Sequence, residues 1–205
     1  MKKQILLTIG IATLLASNTQ ATQELLARSI KDARAETART SEQLKATLSA
    51  LNGLTKQTKG DLRPAYDTFR SEVAKTETAA GWTRTRIQWM ANDGRKYFQG
   101  WQKTVDTISN ESLRKKAQKR LNAVTKSYDK VEASLQSAAE TFRPFLSDLG
   151  DIQKALATDV TAGGVKAIRS TVRSANWDHQ NVNQAVNSAL KGMDKMEKSL
   201  ASGAE

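Results

Sequence analysis

The chain has 205 residues, a net charge of +11, a single histidine, two prolines and no cysteine. The missing cysteines exclude a disulfide framework, a zinc ribbon, an iron–sulfur site and a thiol nucleophile. The lone His179 leaves no multi-histidine metal site, and so few prolines favour long helices over a turn-rich β chain.

The N-terminus reads as an address. Met1-Lys2-Lys3 is a basic start, and Ile5 to Ala16 is an uncharged apolar run of 12 residues. Thr19-Gln20-Ala21 places small residues at −3 and −1 of a cleavage site after Ala21. This is the three-part pattern of a secretory signal peptide over residues 1–21. Spanning a bilayer takes about 20 apolar residues, so the run is short for an anchor. With no cysteine behind it, lipoprotein processing is excluded. The expected product starts near Thr22, is periplasmic or secreted, and keeps a net charge of +9.

From there on, apolar and small residues recur at alternating spacings of three and four, the mark of helices packed along a seam. A first helix over about 23–58 carries Leu26, Ile30, Ala33, Thr37, Thr40, Leu44, Thr47, Leu51 and Leu54. Its threonines make it the weakest of the set. A second, over 62–108, runs from Leu62, Tyr66, Phe69 and Val73 to Met90, Gly94, Tyr97, Trp101 and Thr104. Asp61 is a natural cap for it, and Pro64 is tolerated in a first turn, where its missing N–H has no partner within the helix. A third, over 111–157, is the most regular. Ala117, Leu121, Val124, Tyr128, Val131, Leu135, Ala138, Phe142, Phe145, Leu149, Ile152 and Leu156 follow an unbroken 4-3 spacing. Ser109 and Asn110 supply its N-cap, and Pro144 predicts a kink or break within it. A fourth, over 164–201, runs from Ile168 through His179 to Leu200.

The links between these segments are short, which makes consecutive helices antiparallel neighbours. The expected fold is all-α: an elongated antiparallel four-helix bundle, a long coiled-coil rod formed by a single domain over 22–205. A dimeric coiled coil is the alternative, so a homo-oligomer stays open.

Several residues carry a resemblance. Gly60-Asp61-Leu62, the stretch Ser109-Asn110-Glu111-Ser112-Leu113-Arg114, then Leu121, Tyr128, Pro144 and Leu146 resemble the bacterial family catalogued as domain of unknown function 2959. The resemblance spans roughly Leu44 to Leu200. It implies a helical, exported protein and carries no catalytic residue over. Many members look acidic and lipid-anchored, whereas this chain is basic and lacks the cysteine.

Charge and aromatic residues supply the candidate surfaces. In an antiparallel bundle, one half would hold residues 22–40, 84–108, 109–135 and 180–205 with a net +8, leaving +1 for the other. Arg114, Lys115, Lys116, Lys119 and Arg120 cluster at the start of the third helix, where cations oppose the helix dipole. Arg84, Arg86, Arg95, Lys96 and Lys103 lie on the second. Such a patch suits lipid headgroups, an anionic envelope polymer, nucleic acid or an acidic protein face. Its plain alternative is a solvated face. Trp82 and Trp89, seven residues apart and off the seam, form an aromatic contact surface if exposed, and extra core if buried. Gly81, Gly94 and Gly100 weaken the same helix by about 1 kcal/mol each, and Gly94 falls on the seam. The Asn176, Gln180, Asn183 and Asn187 stripe reads as a solvated face.

No phosphate loop, dinucleotide fingerprint or zincin motif is present, and the carboxylates Asp148 and Asp151 alone define no site. The sequence therefore leads to a non-enzymatic envelope protein without metal or cofactor. It would act as scaffold, spacer or adaptor for an anionic envelope component, a lipid surface or another envelope protein. A basic nucleic-acid-binding protein is the second reading, and export argues against it.

Overall fold

The structure, a computed structural model, describes the backbone of residues 2–57 and 59–201 and the side chains of 20–57 and 59–201. The apolar run expected to form the signal peptide thus lies outside the described side chains.

The described residues form α1 (Lys2–Lys56), α2 (Arg63–Asp106), α3 (Glu111–Thr158), a short α4 (Ala162–Ala167) and α5 (Arg169–Ala201). The fold is all-α, a bundle of long helices. Local chemistry sets its boundaries. The Asp61 carboxylate accepts the Arg63 N–H (2.9 Å) ahead of α2, and Asn110 Oδ1 accepts the Leu113 N–H (3.0 Å) ahead of α3. Each satisfies a donor that the first turn leaves unpaired.

Two positions need comment. Of the kink or break expected at Pro144, the break does not occur, and α3 is continuous through it. Pro144 is exposed while Phe145 is buried, so the lost bond falls on the solvent side and the core face holds the helix together. The fourth helix is divided instead. Ile168 stands between α4 and α5 as a turn, although its N–H still reaches the Gly164 carbonyl (3.3 Å) and its carbonyl the Val172 N–H (2.9 Å). Gly163 and Gly164 explain the imperfect start, because glycine is a poor helix former. At Gly164 a Cβ would lie 2.0 Å from the Asp159 carbonyl oxygen, so the chain's close approach requires glycine there.

Packing divides the chain into two compact units. Unit 1 comprises residues 1–34, 85–132 and 192–205, and unit 2 comprises 35–84 and 133–191. In unit 1, α1 meets α2 at Asp32–Arg86 (3.7 Å), and α2 meets α3 where Tyr128 Oη donates to the Met90 carbonyl (2.9 Å). There α3 meets α5 at Val131 and Gly192, and α5 returns to α1 through the Gln23 amide on the Leu200 carbonyl (2.9 Å). In unit 2 the same cycle recurs. Thr47–Thr76 (2.7 Å) joins α1 to α2, and Tyr66 Oη on the Gln153 carbonyl (3.2 Å) joins α2 to α3. Phe145–His179 (ring centroids 6.0 Å apart) joins α3 to α5, and the paired amides of Asn52 and Asn176 (3.1 Å) join α5 to α1. Within each unit, consecutive long helices are therefore neighbours.

The core follows the seams. All nine seam positions of α1 are buried, including Thr37, Thr40 and Thr47. Two of these threonines are reconciled with burial by bonds across to α2: Thr40 with Thr83 (2.8 Å) and Thr47 with Thr76. Gln43 reinforces this contact by donating to the Glu72 carboxylate (2.7 Å). That bond and the Lys75 ammonium, the larger influence, hold the Glu72 carboxyl below its usual range. On α3, Leu121, Tyr128, Val131, Leu135 and Ala138 are buried, followed by Phe145, Leu149, Ile152 and Leu156. Helix α2 departs late, where Val105 is buried in place of its neighbour Thr104.

Candidate functional site

Unit 1 holds most of the charge. Its described residues carry a net +7, and those of unit 2 a net +3. Between residues 95 and 130 alone, ten basic side chains face three acidic ones. Arg114, Lys115, Lys116, Lys119 and Arg120 are all exposed on the first turns of α3. Lys115 pairs with Glu111 one turn back (2.7 Å), which places an acid in the first turn where the helix dipole favours it. Arg114, Lys116, Lys119 and Arg120 make no ion pair with the described residues.

The start of α3 packs beside the end of α2 through the mutual amide bonds of Gln102 and Gln118 (2.9 and 3.0 Å). Behind it lies an aromatic cluster. Tyr97 packs on Phe98 and Trp101 (centroids 5.1 and 5.5 Å), and Phe98 packs on Tyr128 (5.2 Å). Burial pushes the Tyr97 hydroxyl up to about 12, against a smaller opposing pull from Arg120. Burial likewise raises Tyr128, with the Glu132 carboxylate adding to it. Gly94 makes room for this packing, because a Cβ there would lie 2.5 Å from the Tyr128 ring.

The structure sorts the other candidates onto separate surfaces. Arg95 is exposed, bonded to Asn92, and near enough to Tyr128 to influence it. Arg86 and Lys96 instead border α1. There a shallow groove of about 320 Å³ is lined by Leu25, Arg28, Ser29 and Asp32 of α1, and by Arg86, Trp89, Asn92, Asp93 and Lys96 of α2. The Arg86 guanidinium lies 4.8 Å from the centroid of the Trp89 ring, a cation–π contact, and pairs on its other side with Asp32. Lys96 lies 4.0 Å from Asp93. Trp82 and Arg84 belong to unit 2, where Trp82 borders a concavity with Glu36, Ser71, Ala74, Lys75, Thr78 and Ala79.

Both off-seam tryptophans are exposed, Trp82 by 57% and Trp89 by 50%, so neither is core. Trp177 is exposed by 65% and was not singled out by the sequence. Its position between the seam residues Ala175 and His179 is the signal that could have found it, since that offset points outward. Leu25 and Asp32 were also missed, because nothing in α1 alone shows which face borders α2. The polar stripe of α5 is not merely solvated, for half-buried Asn176 is held by Asn52 and by the Val172 carbonyl (2.7 Å).

His179 is half-buried against Phe145, and burial, with Lys45 adding to it, lowers its pKa. Among the described residues, no cluster of three or more histidines and carboxylates is placed to hold a metal. No helix among them is long and apolar enough to cross a membrane. Asp151 is exposed and paired with Lys154 (3.1 Å), whereas Asp148 is half-buried.

No curated protein matches the chain. Residues 17–200 match the family described as protein of unknown function DUF2959. That span takes in most of the chain, including α2, α3 and both surfaces described above, so the chain belongs to the DUF2959 family.

Proposed function

We propose that this protein is an exported, non-enzymatic helical adaptor of the cell envelope that holds an anionic envelope component on the basic surface of unit 1. The observation that carries this reading is the charge density at the start of α3, where five basic side chains fall within ten residues and all are exposed. One neighbouring acid, Glu111, offsets them. Such a surface raises the local concentration of polyanions and binds them with strong salt dependence. In an envelope, the matching chemistry is a phosphate-bearing polymer, anionic lipid headgroups or the acidic face of another protein. The signal-like N-terminus supports the compartment. Nucleic acid offers the same charge and is the second reading, which export disfavours.

The test is binding of the full chain to soluble polyphosphate and to phosphatidylglycerol vesicles at low and physiological salt. Reversing Lys115, Lys116 and Lys119 to glutamate should weaken binding by about tenfold or more at low salt, and flatten its salt dependence. Binding unchanged by the triple reversal would remove the surface from the account.

A further inference from the structure

The groove between α1 and α2 in unit 1 has a chemistry distinct from the basic surface. Its cations are largely matched by acids, Arg86 by Asp32 (3.7 Å) and Lys96 by Asp93 (4.0 Å). It is close to neutral within a unit of net +7. A phosphate or carboxylate ligand would find only Arg28 outside those pairs, and the cluster of unpaired cations on α3 offers it more partners. At the same time Trp89 presents a large, half-exposed aromatic side chain, with the Arg86 guanidinium over one face of its ring, 4.8 Å from the centroid. Around it stand both kinds of hydrogen-bonding group. Asn92 and the carboxylates Asp32 and Asp93 accept, while Arg28, Lys96 and the Asn92 amide donate. A preformed concavity with an apolar plate and a few convergent polar groups is the general form of a small-ligand site.

A ligand that satisfies all these features is a neutral ring with an apolar C–H face and a rim of hydroxyls. We infer that this groove is a glycan-binding site in which a pyranose ring stacks on Trp89 and its hydroxyls bond to Asp32, Asn92 and Asp93. A nucleobase shares the stacking but brings a phosphate that the paired cations do not welcome. A lipid bilayer needs a broader apolar surface than Leu25 and Trp89 provide. The inference stands apart from the anionic surface on α3, since it needs no unpaired charge.

The experiment is a screen of the full chain against an array of neutral and anionic bacterial-type oligosaccharides, followed by calorimetric titration of each binder. At least one neutral oligosaccharide should bind. Trp89→Ala should weaken it by about tenfold, the equivalent of one lost aromatic contact. Trp89→Tyr should retain part of the affinity, and Trp177→Ala, which alters a still more exposed tryptophan of unit 2, should change nothing. Failure of every neutral glycan to bind would overturn the proposal. So would binding that survives Trp89→Ala. Binding confined to phosphorylated or sulfated glycans and abolished by the Lys115, Lys116 and Lys119 reversal would assign the contact to α3 and equally sink the groove.

Discussion

Gly94 shows how one residue can hold a packing arrangement. Alanine is normally better than glycine inside a helix by about 1 kcal/mol. Here the new methyl would meet the Tyr128 ring and push its hydroxyl off the Met90 carbonyl. Overpacking of this kind costs about 1–3 kcal/mol, so Gly94→Ala should lower the melting temperature in spite of its better propensity. A raised melting temperature would show that Tyr128 does not lie over Gly94. His179 makes a second case. Its folded pKa is lowered from 6.5, chiefly by burial, so the unfolded chain takes up this proton first as pH falls. Well above about pH 6.5 both forms are neutral and the contribution is constant. Below that, stability drops until the folded imidazole also titrates. Glu72, whose pKa is lowered from 4.5, begins to cost stability only in more acidic solution. Urea midpoints at about pH 7.5 and about pH 5.5 should therefore differ more in the wild type than in His179→Gln. Equal differences would contradict the burial of this imidazole.

At the scale of elements, what the sequence showed was periodicity, and what it hid was compensation. The seam of α3 was legible because every position on it is apolar, from Ala117 to Leu156. The seam of α1 looked weak for its threonines, yet it is buried from Leu26 to Leu54. Their pairing with Thr76 and Thr83 on α2 explains the difference, and no local pattern reveals a hydrogen bond between residues 29 or 43 positions apart. Thr47→Val should cost about 1–3 kcal/mol, because Thr76 is left buried without its partner. The Thr47→Val/Thr76→Val double variant should lose less than the two single changes combined, as read from a denaturant double-mutant cycle. Strict additivity would mean that the two hydroxyls do not share a bond. The continuity of α3 through Pro144 and the turn at Ile168 have different causes. Exposed Pro144 costs α3 only a bond on its solvent side, whereas the turn at buried Ile168 follows the chain's close approach at Gly164, and no local pattern shows which residues face the core.

At the scale of the whole molecule, charge is unevenly shared between the two units, and that imbalance was already legible from counting residues along antiparallel segments. The basic cluster of α3 was found that way. The aromatic groove was only half found: Trp89 and Arg86 were named, but their partners on α1 depend on which faces of two helices meet. Trp82 and Arg84, grouped with them by proximity in sequence, belong to the other unit. Every partner proposed for these surfaces, nucleic acid apart, presupposes that the chain leaves the cytoplasm. The measurement that tests this most directly is the intact mass of the protein recovered from fractions of its own cells. A chain shortened by about 21 residues, found outside the cytosol, is the predicted result. A full-length mass in the soluble cytosol would contradict the account and turn the basic surface toward nucleic acid.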